Sequence, residues 1–138
     1  MKIVKSLLVF VALLTSNASF SASDYICTID RPSIADGDSG NLYEMYVKNY
    51  VGKDFTVSRN TGVMSGALKN SYVTSPKIID IGSSENSFKV VTTMMKEEGI
   101  GNGSTVSALN VSEFNESVNK PFLYMTNDMA YFGTCVHF

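Results

Sequence analysis

Two cysteines constrain this fold more than any other feature of the sequence. Cys27 and Cys135 are the only two in 138 residues, and they stand near opposite ends of the strand-forming part of the chain. A bond between them would close a loop of 108 residues. In the chain-entropy view that stabilises a fold by roughly 4–5 kcal/mol. It would also require the first and last strands to be neighbours, because a disulfide tolerates only a short Cα–Cα distance. Such neighbours arise when a barrel or sandwich closes on itself. The rival use of these thiols is a metal site with His137. Zinc normally takes three or four ligands, and the chain has no other Cys or His.

The leader favours the disulfide. Lys2 and Lys5 precede an unbroken apolar run, Leu7–Leu14, and small residues follow at Ala18, Ser19, Ser21, Ala22 and Ser23. This is the pattern of a secretory signal peptide over residues 1–22, with cleavage after Ser21 or Ser23. The apolar run is too short to span a bilayer, which needs roughly 20 residues. No later segment is apolar enough to cross, and no Cys marks a lipoprotein anchor. The expected product, residues 23–138, is a single periplasmic or secreted domain in an oxidising compartment, where an even cysteine pair is most simply a disulfide.

Charge narrows the function classes. Without the leader the chain holds nine bases and thirteen acids, a net charge of about −4. That argues against a nucleic-acid partner. An apolar content of 44% argues against disorder.

Hydrophobic periodicity points to an all-β, mainly antiparallel fold, a small closed barrel or a sandwich, with one short helix. Tyr25–Arg31 alternates, with Tyr25, Cys27 and Ile29 on one face, and Pro32 is expected to end the strand. Residues 42–51 carry two patterns. Tyr43, Tyr46, Val47 and Tyr50 have helical spacing, with Asn41 and Glu44 as a capping box and Gly52 past the end; Tyr43, Met45 and Val47 also alternate. The helix is the favoured reading. Asp54–Ser65 reads as a hairpin turning at Asn60-Thr61-Gly62. Further strands are expected at Ser71–Thr74, Lys77–Ile81, Phe88–Met95, Thr105–Val111, Pro121–Thr126 and Ala130–Val136.

The run Phe55–Gly62 (FTVSRNTG), the stretch Gly82–Val90 (GSSENSFKV) and the terminal Phe132–Cys135 (FGTC) resemble an uncharacterised family of small exported proteobacterial proteins. The likeness extends over most of the chain after the leader. It implies a bacterial exported protein and carries no catalytic assignment. Many members of that family are expected to have Asp where this chain has Ser58, so no role for that position is carried over.

Motifs for specific chemistry are few. Asp36-Gly37-Asp38-Ser39-Gly40 begins like a calcium loop, but the sixth and twelfth positions are Asn41 and Val47 instead of Gly and an acid. Gly99–Gly103 lacks the Lys of a phosphate loop. Asn102, Asn110 and Asn115 head glycosylation-like triplets, which a bacterial protein would not use. His137 is the only histidine, and nothing in the sequence joins it to a nucleophile or pairs Glu113 or Glu116 with another acid. The sequence therefore points to no catalytic residue, metal or cofactor. Tyrosines are the better candidates for binding, because their rings are amphipathic. Tyr43, Tyr46 and Tyr50 are expected on one face, and Tyr124, Tyr131 and Phe132 on another, with Arg59 at a hairpin turn as an anion candidate. The function expected is a non-catalytic binding module for a small apolar molecule or an envelope or extracellular protein. An envelope structural protein and a carboxylate-based enzyme are the alternatives.

Overall fold

The structure, a computed structural model, describes residues 23–138; the leader reading lies outside the described residues. Eight strands form one antiparallel sheet: β1 (Tyr25–Ile34), β2 (Asp54–Val57), β3 (Met64–Gly66), β4 (Lys77–Ile81), β5 (Phe88–Met94), β6 (Thr105–Val111), β7 (Lys120–Thr126) and β8 (Met129–His137). A helix, α1 (Gly40–Tyr50), lies between β1 and β2. The strand order is β3-β2-β1-β8-β7-β6-β5-β4. The sheet curls into a half-barrel, the barrel-like one of the two architectures the sequence left open.

Cys27 and Cys135 face each other directly across β1 and β8 and are joined, with their Cα atoms 3.9 Å apart. The first and last strands are therefore central neighbours, as the cysteine pair required. The inner face of the sheet is built in rows of side chains that oppose one another across strands. One row runs Phe88, Val111, Phe122, Gly133 and Ile29; the next runs Val90, Leu109, Tyr124 and Tyr131. Almost all of these are fully buried. Gly133 lets β1 pass close by: a Cβ there would stand 2.0 Å from the Thr28 carbonyl oxygen.

β1 continues past Pro32, which pairs with Tyr131, so the expected stop does not occur. β2 covers β1 only as far as Thr28, and a proline without N–H is tolerated along the uncovered stretch. A bulge between Ile29 and Arg31 shifts the inward side chains from odd to even positions, and Pro32 is buried in consequence. Helical spacing in residues 42–51 is realised: Tyr43, Tyr46, Val47 and Tyr50 are the half-buried side of α1. The helix begins at Ser39 as N-cap, with no side-chain cap, so Asn41 and Glu44 form no capping box. Ser71–Thr74 is not a strand. It finds no partner, and Tyr72 and Val73 project outward.

The two sheet edges, β3 and β4, do not pair. The curl is drawn together by side chains instead. Gly62, at positive φ in the β2–β3 turn, packs on Val90 and Ile78, where a Cβ would come within 2.9 Å. Arg59 Nη2 donates across the seam to the Ile81 carbonyl at 2.5 Å.

Candidate functional site

The inner rows change character toward one end of the curl. β5 presents Phe88, Val90, Thr92 and Met94 in turn, and β6 presents Val111, Leu109, Ser107 and Thr105. Thr92 opposes Ser107, and Ser107 opposes Thr126, so a belt of hydroxyls crosses three strands. Beyond it the curl holds a cavity of about 370 Å³, lined by this belt, by Tyr124, Met94 and Thr105, and by Lys69–Asn70, Tyr72–Thr74 and Ile100 from two loops. Apart from Lys69 the lining carries no charge.

Local bonds hold the first loop over the cavity. Asn70 is buried; its amide donates to the Gly62 carbonyl, and its side-chain oxygen accepts the Met64 N–H. The Tyr124 hydroxyl donates to the Lys69 carbonyl at 3.2 Å, and Thr74 Oγ1 donates to the Thr93 carbonyl at 2.6 Å. Burial raises the Tyr124 pKa, against the lowering effect of the Ser107 and Thr126 hydroxyls. Large apolar groups surround the opening: Tyr72 is 80% exposed, Val73 55% and Ile100 fully. The Ser71–Thr74 segment thus spends its apolar residues on the rim of a cavity.

The opposite end of the curl carries a charged cluster. Glu113, just past β6, accepts the Tyr25 hydroxyl at 2.5 Å through Oε2. Its Oε1 lies 3.0 Å from His137 Nε2 and 3.9 Å from Arg59 Nη1. Ser23 Oγ lies 3.0 Å from His137 Nδ1, and the His137 ring stacks on Tyr25. Burial acts to raise the Glu113 pKa. The Tyr25 hydroxyl, His137 and the Arg59 charge together outweigh it and hold the carboxyl below its usual range. Tyr25 moves the other way: burial first, then its bond to Glu113, pushes its ionisation far up. Arg59 is buried beneath this cluster, with its Nε shut from solvent and unpartnered. No spacing along the chain signals this convergence, because Glu113 and His137 meet only through the register of β6, β7 and β8.

The tyrosines divide. Tyr46 stacks on Tyr50, Tyr50 packs tilted against Tyr131, and Tyr131 lies 6.3 Å from Tyr124, so four of the expected six residues form one aromatic path. Burial and the neighbouring Tyr50 and Tyr46 push the Tyr131 pKa far up. Tyr46, Tyr50 and Tyr131 line a second, more polar hollow beneath α1, with Asp36 and Asp128. Tyr43 lines neither hollow, and Arg59 lies at the other end of the curl. Phe132 does not share the face of Tyr131; adjacent strand residues point oppositely, and Arg31 covers it at 3.8 Å. Asp38 accepts the Ile34 N–H and serves the turn. Among the described residues no three acids, cysteines or histidines are grouped to hold a metal ion.

No protein-family model, curated protein or solved structure was found to match the chain.

Proposed function

We propose that this chain is an exported, non-catalytic binding module that takes a small apolar molecule into the open end of its curled sheet. The observation that carries the reading is the cavity of about 370 Å³, apolar in most of its lining and ringed by exposed Tyr72, Val73 and Ile100. Its size falls in the range of small-molecule sites, and exposed apolar groups around a concavity mark a place where something docks. The disulfide supports an oxidising compartment, and with the leader pattern it supports export from a bacterial cell.

The test is a titration with cyclohexane, followed by methyl resonances of Val73, Met94 and Ile100. Saturable shifts confined to these residues are expected. Shifts spread over the surface, or none, would overturn the reading.

One observation favours a second reading, a hydrolase. Ser23, His137 and Glu113 form a continuous hydrogen-bonded chain of the kind that activates a serine. The cavity shares none of these residues. Covalent labelling of Ser23 by a serine-directed phosphonate would support that reading, and an unlabelled protein would dismiss it.

A further inference from the structure

Lys69 is the one charged residue in the cavity lining, and its main chain and side chain are held very differently. The main chain is fixed to the wall. Its carbonyl accepts the Tyr124 hydroxyl, and Asn70 beside it is buried and bonded to Gly62 and Met64. The side chain is exposed, and among the described residues no acid pairs with its ammonium. A lysine carries a compact charge with three donors on a flexible four-carbon stem. With the backbone anchored at the wall, that stem can swing the charge over the opening. The nearest acids in sequence on the other loop, Glu97 and Glu98, do not line the cavity, and Glu98 turns back to the Met95 N–H.

Resting on the cavity reading above, we infer that the molecule bound there is an apolar carboxylic acid in its ionised form, paired through its carboxylate with Lys69. Charge complementarity carries the choice: an apolar hollow with one accessible cation and no anion fits a molecule of apolar body and single negative charge. A phosphate ester carries up to two charges and calls for more donors than one ammonium supplies. The orientation follows from solvation. An ionised group is costly to bury, so the carboxylate stays at the mouth, where Lys69 and water both reach it. The body points inward against Met94, with Val73 and Ile100 closing over it. Lys69 then selects acids over alcohols and hydrocarbons of the same shape.

The experiment measures the affinities of cyclohexanecarboxylate, cyclohexylmethanol and cyclohexane at pH 7 for the full exported chain and for its Lys69→Gln and Lys69→Arg variants. The ratio of carboxylate to alcohol cancels the contribution of the shared ring. Loss of the facing charge should lower that ratio about three- to tenfold in Lys69→Gln. Lys69→Arg keeps the charge and should restore it. Added salt should lower the ratio in the parent and leave it unchanged in Lys69→Gln. Both variants keep the bond to Tyr124, because the Lys69 carbonyl makes it. An equal ratio in the parent and Lys69→Gln, with cyclohexane still bound, would overturn the carboxylate inference and leave the cavity reading standing. Failure of all three probes to bind the parent would overturn both.

Discussion

Glu113 is kept ionised by groups from three separate parts of the chain. Tyr25 comes from the first strand, Arg59 from the first hairpin and His137 from the last strand. Its carboxyl titrates below the ordinary value in the folded protein. A depressed carboxylate gives stability that is present above the unfolded value, about 4.3, and is lost as the pH falls through the folded one. Glu113→Gln keeps the shape and an acceptor for Tyr25 but removes the charge facing Arg59. At pH 7 the variant is expected to be less stable by roughly 1–3 kcal/mol, the cost of leaving a buried partner poorly matched. The gap should begin to narrow as the pH falls through the unfolded value, about 4.3, and close only below the lower folded one. Urea midpoints followed from pH 7 into acid measure both. A gap that does not narrow as the pH falls would mean that shape, and not charge, is what Glu113 contributes.

At the scale of elements, α1 is the most weakly held. None of its residues is fully buried, and it packs mainly on β1. Its last turn is anchored by Tyr50 against the buried ring of Tyr131, with centroids 5.0 Å apart. Tyr50→Ala should therefore release the helix and leave the sheet in place. The expected signs are a loss of the helical circular-dichroism signal, faster amide exchange over residues 40–50 and unchanged exchange in β8. Parallel loss of protection in β8 would mean that α1 is part of the global unit. This helix was legible because its tyrosines repeat at i, i+3 and i+7; its start was not, because the capping pattern at Asn41 competes with a glycine at positive φ one residue earlier. Strand limits were legible from alternation in β4 and β6. Alternation misled at Ser71–Thr74, where apolar residues serve a cavity rim and no strand partner exists. It also hid the site: each strand end read alone is unremarked, and only register aligns Thr92, Ser107 and Thr126 into one belt.

The whole molecule is closed in two different ways, and they should fail differently. At its centre β1 and β8 share a long ladder and the disulfide. Because the bond joins the ends of the fold, it acts on the unfolded chain and stabilises every element together. At the seam between the β2–β3 hairpin and β4, no ladder exists; Gly62 packs on Val90 and Ile78, and Arg59 reaches Ile81. Those contacts exist only while the curl is shut, so weakening them opens one side before the rest unfolds. Cys27→Ala with Cys135→Ala is expected to cost about 2–5 kcal/mol and to lower amide protection throughout the slowest-exchanging core. Arg59→Ala should instead raise exchange at least about tenfold in β3 and β4, with β7 and β8 little changed. Native-state hydrogen exchange on the two proteins separates these patterns. If Arg59→Ala accelerates β8 as much as β4, the seam and the central ladder open as one unit, and the curl has no independent edge.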